Sequence, residues 1–230
     1  MIEVYRASCQ NTKEIKKHAT SIKRMINAAL RKNRMMEVET LTKTYALIYS
    51  AYAEVSFLKV IHTPYGFSEN YIQQIQAQRN LEEKWRKCIN LAFAEIQNES
   101  NKGEINNKKQ KLERIMQKYI IEPSQVRNKI AHGQWKTSLN SESTAINIDI
   151  TQKIQMLDYV KIDILFHIYD VFSSCVEDLI ESPHRAHYRY FYPRMVELEE
   201  YIKKTKSYSI EGKKYIFRNS PKQDPRMSNP

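Results

Sequence analysis

The side chains best suited to carry out a reaction are concentrated in the stretch VRNKIAHGQW, residues 126–135. Arg127, Asn128 and His132 lie within about a turn and a half of helix. On a helical wheel these three residues fall on one side with the small Ala131 among them, and Val126, Ile130 and Gly133 fall on the other. The pattern predicts an apolar side that packs on the protein and a polar side that presents a guanidinium, an amide and an imidazole.

These three groups suit the cleavage of RNA without a metal ion. Attack by a 2′-hydroxyl on the adjacent phosphate needs proton transfer and stabilisation of negative charge. The imidazole of His132 can exchange a proton near neutral pH, and the guanidinium of Arg127 is a planar fork for phosphate oxygens. Asn128 can orient the imidazole or hold a phosphate oxygen. Arginine-to-histidine spacing alone arises by chance in a basic chain with six histidines, so the asparagine and the boundaries of the segment carry more weight.

The boundaries of the segment predict the element that holds these groups. Pro123 suits the first turn of a helix, and Gly133 suits the residue just past its end. We therefore predict a short helix over about 123–132, placed between longer helices.

The rest of the chain predicts an all-α fold. Four glycines in 230 residues are too few for a β-rich protein, and no glycine-rich phosphate loop is present. Apolar residues recur at helical spacing along most of the chain. We predict a single helical bundle of about five to six helices, in which a short helix carries the motif. The longer helices are expected at about 12–35, 38–62, 68–97, 151–181 and 183–206.

Two segments depart from this periodicity. Residues 98–111, NESNKGEINNKKQK, are polar and rich in asparagine and lysine, which predicts a mobile loop. Residues 207–230 contain three prolines and many cations, which predicts a basic and loosely ordered tail. The helical domain itself is expected to span 1–206.

Charge and cysteine usage indicate the setting. Thirty-seven Lys and Arg against 26 Asp and Glu leave a net charge of +11, which favours a polyanion such as nucleic acid as partner, although solvated lysines alone would also explain it. The three cysteines are widely spaced and form no zinc pattern. Without a leader or a long apolar run, we expect a cytoplasmic protein with reduced thiols, no metal, no cofactor and no membrane span.

The stretch RNKIAHG resembles the signature of the HEPN superfamily, small all-α domains of which many are ribonucleases. That signature is an arginine, four to six further residues and a histidine, often with a polar residue directly after the arginine. Arg127, Asn128 and His132 match it position by position. The order of long helices, motif helix and further long helix is also similar over about residues 10–205.

The resemblance implies a metal-independent endoribonuclease that leaves a 2′,3′-cyclic phosphate. It also implies a homodimer in which two motifs form a composite active site, which would supply a second histidine. Relatives serve as toxins or abortive-infection effectors in antiviral defence, so an antitoxin or a sensor protein is an expected partner. Some relatives are inactive, and a non-catalytic helical module that binds RNA or protein is the alternative.

Further candidates lie outside the motif. Glu54 occupies an otherwise apolar stripe, where a carboxylate needs a partner or a function. Some HEPN nucleases carry such a glutamate with a lysine four positions later, whereas Lys59 follows here after five. We predict that Glu54 is catalytic, pairs with Arg127 or lies at the exposed edge of the stripe. The expected RNA-binding residues are Lys129, Arg185, Tyr188 and Arg189, because guanidinium and aromatic side chains stack on bases.

Overall fold

A computed structural model describes residues 2–96 and 102–219 of the chain. The all-α prediction is confirmed, since these residues form helices and no strand, with a single isolated bridge between Leu139 and Ile146. The first helices are α1 (Ile2–Arg31), α2 (Met35–Ile61), α3 (Glu69–Gln76), α4 (Leu81–Ala92), α5 (Lys102–Met116) and α6 (Glu122–Ala131). They are followed by α7 (Ile148–Gln155), α8 (Tyr159–Glu181), α9 (Pro183–Arg185), α10 (Phe191–Thr205) and α11 (Ile210–Asn219). Two π-helical segments, Gln117–Ile121 and Ala186–Tyr190, lie within this order.

The centre of the core is a layer of aromatic rings between α2 and α8. The ring centroids of Tyr45, Tyr49 and Tyr52 lie 5.4, 5.1 and 5.2 Å from that of Phe166. Each tyrosine hydroxyl has a partner; that of Tyr49, for example, donates to the carbonyl of Tyr119 at 3.0 Å. Buried aromatic rings keep such a core rigid when their polar ends are bonded. Helix α2 is therefore a fixed support for the elements packed on it.

The described residues form more helices than the five to six predicted. Part of the difference arises because two of the long predicted helices are interrupted. Asn80 caps α4 by accepting from the N–H of Glu83 at 2.9 Å, which divides the helix expected over 68–97. Asp158 caps α8 by accepting from the N–H of Val160 at 2.7 Å, which divides the helix expected over 151–181. Asparagine and aspartate favour such capping positions over helix interiors.

Residues 102–111, where a mobile loop was predicted, are helical and belong to α5; residues 97–101 lie outside the described ranges. Ile105 and Leu112 are buried on one side of α5. Lys108 is also buried, with 1% of its surface exposed, and its ammonium donates to the carbonyl of His187 at 2.7 Å and pairs with Glu104 at 2.7 Å. The polar sequence did not predict this helix, because the sequence alone does not distinguish a buried lysine from a solvated one.

The tail also differs from its prediction over part of its length. Residues 210–219 form α11, and the backbone N–H of Ile210 donates to Asp158 at 2.8 Å. The guanidinium of Arg31 lies 4.4 Å from the ring centroid of Phe217, which holds α11 against α1. None of the helices in the described ranges has the length and hydropathy needed to span a membrane.

Candidate functional site

The predicted two-sided character of the motif helix is confirmed. Val126 and Ile130 on α6 are buried, with 7% and 1% of their surfaces exposed. Asn128 and His132 are exposed, and Arg127 lies half-buried between the two sides. The apolar pair fixes α6 on the bundle, so the polar side chains are presented from a supported backbone.

The start of the motif helix differs from the prediction. Helix α6 is not a separate short helix, because α5, the π-helical segment and α6 follow one another without a break. Pro123 has no N–H to donate to the carbonyl of Tyr119 four residues earlier. The Tyr49 hydroxyl donates to that oxygen instead. The proline is therefore accommodated inside a longer helical run by a π-helical segment and a tyrosine from α2.

The end of the motif helix is where the sequence placed it. His132 is the residue that follows the last helical residue, and Gly133 has a φ of 80°. The N–H of Gly133 donates to the carbonyl of Ile130 at 3.0 Å, and that of Gln134 donates to the carbonyl of Lys129 at 2.9 Å. These two bonds form a Schellman motif, which closes a helix with glycine in the left-handed region. His132 is therefore held at a defined helix end.

Arg127 and Glu54 are brought together by the packing of α6 on α2. Nη2 of Arg127 donates to Oε1 of Glu54, and the two side chains are 21% and 54% exposed. Nε of Arg127 is buried and has no hydrogen-bond partner. The carboxylate thus holds one end of the guanidinium, while Nε has no partner in the described residues. Lys59, the other half of the family comparison, instead pairs with Glu177 at 2.7 Å.

Asn128 and His132 are arranged differently from Arg127. Their side chains are exposed, and neither makes a side-chain hydrogen bond within residues 2–96 and 102–219. His132 follows Arg127 by five positions, which corresponds to a rise of about 7.5 Å along a helix. The guanidinium, the amide and the imidazole can therefore contact one extended ligand, but they do not contact each other in a closed network.

Lys129, predicted to bind RNA, is bonded to the loop that follows α6. Its ammonium donates to the carbonyl of Leu139 at 2.7 Å. The side-chain oxygen of Gln134 accepts from the N–H of the same Leu139 at 2.8 Å. The backbone N–H and carbonyl of Leu139 are thus both bonded to side chains at or just after the end of α6, which fixes the loop that follows the motif.

A second contact with α2 lies beyond the motif. The indole of Trp135 is 39% exposed, and the ammonium of Lys43 lies 5.8 Å from its ring centroid. Because Arg127 meets Glu54 while Trp135 meets Lys43, the segment 127–135 runs antiparallel to α2. Lys43 and Glu54 are eleven positions apart on α2, which corresponds to about 16 Å. We call residues 127–135 the motif segment.

A cleft of about 430 Å³ is lined in part by Arg127. Neither Asn128 nor His132 lines it, so it is a neighbour of the motif segment and not its centre. Its charged residues nearly balance, four cations against three carboxylates. Those residues are Lys118, Arg127, Lys153 and Lys161, with Glu122, Asp149 and Asp158.

The other predicted RNA-binding residues are far from the motif. Arg185, Tyr188 and Arg189 are exposed at α9 and the π-helical segment that follows it. That region contacts α5 through Lys108, which lies 19 helical residues before Arg127, or about 25–30 Å along the run. The structure therefore does not join these residues to the motif segment.

One histidine of this distant region, His187, belongs to the protein core. His187 is fully buried and its Nδ1 lies 3.2 Å from the ammonium of Lys108. Burial, followed by the nearby Lys108 charge, lowers the pKa of His187, although Glu104 acts in the opposite direction. Within the described ranges, no three histidine, cysteine or acidic side chains come together in a group that could hold a metal ion.

Comparison with known proteins adds no relative. No family model matches the chain, and no curated protein or solved structure shows detectable similarity to it. Any functional conclusion therefore depends on the motif segment itself. Sequence reasoning missed Lys43, Gln134 and Trp135 as parts of this region; the available signal was an indole only three residues after His132.

Proposed function

We propose that the chain is a HEPN-type endoribonuclease that cleaves RNA without a metal ion, as a toxin or an antiviral-defence effector. The observation that carries the proposal is the exposed pair Asn128 and His132 beside an arginine that a carboxylate holds in place. An exposed imidazole at a rigid helix end can transfer one of the protons in phosphate-ester cleavage, and a guanidinium held nearby can stabilise the negative charge that develops.

The reaction follows from these groups. The 2′-oxygen of one nucleotide bonds to its own 3′-phosphorus, and the bond from phosphorus to the 5′-oxygen of the next nucleotide breaks. One proton leaves the 2′-hydroxyl and one reaches the departing 5′-oxygen. The products are a 2′,3′-cyclic phosphate and a 5′-hydroxyl. His132 transfers a proton, Arg127 stabilises the negative charge on the phosphate oxygens, and Asn128 orients the imidazole or binds an oxygen.

Glu54 has a positioning role in this proposal. Its bond to Nη2 holds the arginine, and Nη1 is the nitrogen left to contact a phosphate, because Nε is buried. One motif segment offers one histidine, whereas the reaction moves two protons. A homodimer with two motif segments across a shared cleft would supply the second, and an antitoxin or sensor protein would act on that assembly.

The test compares His132→Ala with His18→Ala, which removes an exposed histidine from α1. Purified proteins are incubated with single-stranded RNA in EDTA, and the fragments are analysed by mass spectrometry. We expect the wild type and His18→Ala to produce cyclic-phosphate ends and His132→Ala to produce none, with unchanged circular dichroism. Full cleavage by His132→Ala would refute the assignment.

A non-catalytic module that binds RNA or protein is the second candidate. It is favoured by the absence of a side-chain hydrogen bond to His132 within the described residues, because a catalytic imidazole is commonly oriented by a partner. Binding of RNA by the wild type, without cleavage at any concentration or in either oligomeric state, would support this alternative.

A further inference from the structure

Trp135 is a large aromatic side chain left partly open to solvent. The chain has two tryptophans, and they differ sharply: Trp85 is completely buried in the core, whereas Trp135 is 39% exposed. An indole that only filled space would be expected inside, as Trp85 is. The exposed part of Trp135 is therefore available to contact a ligand beside the motif segment.

The position of Trp135 relative to the motif is fixed by the backbone. It follows His132 by three positions, so their Cα atoms lie within about 11 Å. The turn shortens this further, since the N–H of Trp135 donates to the carbonyl of Gly133 at 3.0 Å. The bonds from Lys129 and Gln134 to Leu139 tie down the loop that follows. The backbone that carries the indole is therefore held near that of His132 and is not a free loop.

The charges around the indole suit a nucleic acid strand. The ammonium of Lys43 lies 5.8 Å from the indole centroid, and Lys43 itself is buried and pairs with Glu39 at 2.6 Å. Lys136, the next residue after the tryptophan, is exposed. Exposed aromatic faces bind single-stranded nucleic acid by stacking on bases while nearby cations contact phosphates. Lys136 is the cation available for that contact, because Lys43 is buried and already paired with Glu39.

We propose that Trp135 is a base-stacking subsite for single-stranded RNA, which binds a nucleotide flanking the phosphate at His132. This inference rests on RNA being the ligand of the motif segment, as in the proposed function. The strand would follow the motif segment along α2, from Arg127 at one end to Trp135 at the other, a path of about 16 Å. Lys129 and Gln134 are positioning residues, because they act through the loop that carries the indole.

The test measures RNA binding in the full-length His132→Ala protein, which cannot turn over the ligand under the proposed mechanism. The probe is a short, fluorescently labelled single-stranded RNA of mixed sequence. We expect Trp135→Ala to weaken binding on the order of 10- to 100-fold and Trp135→Phe to retain most of it, because phenylalanine keeps an aromatic face. Tyr65→Ala removes an exposed ring 96% open to solvent, in the turn between α2 and α3, and should leave binding unchanged.

Two further measurements separate stacking from a loss of local structure. Inorganic polyphosphate has no bases, so its affinity should not change in Trp135→Ala; an equal loss for polyphosphate and RNA would overturn the proposal. Stacking should also quench the emission of Trp135 when RNA is added, and Trp135→Phe should abolish that quenching because Trp85 is buried. RNA affinity within twofold of the parent in Trp135→Ala would refute the subsite.

The outcomes also distinguish this inference from the proposed function. If the wild type cleaves RNA and Trp135→Ala binds it as well as the parent, only the stacking subsite fails. If the wild type binds RNA in a manner that depends on Trp135 but never cleaves it, the subsite stands and the nuclease fails. If the wild type binds no RNA, both are refuted.

Discussion

Replacement of Gly133 by alanine tests whether the end of the motif helix is built as the structure shows. Gly133 has a φ of 80°, and a Cβ atom added there would meet no atom within 4 Å. The change therefore introduces no steric contact with the rest of the protein. Its cost is confined to the backbone, because an L-residue in the left-handed region is disfavoured by roughly 1–2 kcal/mol.

The net effect is slightly smaller than the backbone cost. Alanine also reduces the conformational freedom of the unfolded chain, which offsets roughly 0.4–1 kcal/mol. We therefore expect Gly133→Ala to lower the free energy of unfolding by about 1 kcal/mol. With a urea m-value of about 2–3 kcal/mol/M, the midpoint should fall by roughly 0.3–0.5 M. Asparagine tolerates this conformation better than alanine does, so Gly133→Asn should lower the urea midpoint by less.

Gly212 provides a control of opposite sign. It lies in the first turn of α11 without a positive φ, and its added Cβ would meet only the Ser209 hydroxyl, at 3.7 Å. Alanine is favoured over glycine in a helix by roughly 0.5–1 kcal/mol. Gly212→Ala should therefore be neutral or stabilising in the same urea titration followed by circular dichroism. A Gly133→Ala protein as stable as the wild type would refute the left-handed helix end and the placement of His132 that depends on it.

Three other expectations follow from the same contacts. Glu54→Gln should change the free energy of unfolding by no more than about 1 kcal/mol, because its ion pair with Arg127 is partly exposed. It should nevertheless lower the rate of RNA cleavage on the order of 10- to 100-fold, because the arginine is no longer held in place. Full activity of this variant would contradict a positioning role. The free energy of unfolding should fall as the pH drops below about 6.5, because burial and Lys108 lower the pKa of His187 and the unfolded chain then binds the proton more readily. Urea titrations at several pH values should show this dependence of stability on pH, and His187→Gln should weaken it. Burial raises the pKa of the Cys88 thiol and raises that of Cys175 to about 12. Of the three cysteines, Cys9 alone should therefore react with a thiol reagent until the chain is denatured.

Local sequence chemistry was sufficient for several features of the site. The spacing of Val126 and Ile130 against Asn128 placed the two sides of α6 correctly, because helical periodicity depends only on neighbours. Gly133 marked the helix end correctly, because few other residues adopt its conformation easily. The all-α class followed from the same kind of information, summed along the chain.

Other features depended on residues distant in sequence. Pro123 was expected to begin a helix, but a tyrosine from α2 and a π-helical segment keep it inside one. Lys108 was expected in a mobile loop, but it is buried against His187, 79 residues away. Periodicity cannot reveal a partner of this kind, because the partner lies on another helix.

The sequence by itself determined the fold class, the end of the motif helix and the set of polar side chains on its open side. The sequence offered the pair of Glu54 with Arg127 as one of three alternatives, and only the tertiary structure decided between them and showed the partners of the other side chains. The structure pairs Arg127 with Glu54, 73 residues away, occupies Lys129 with a backbone carbonyl, and leaves Trp135 open above Lys43. The physical reason is that helical propensity and capping act within a few residues, whereas burial and ion pairing depend on which helices pack together.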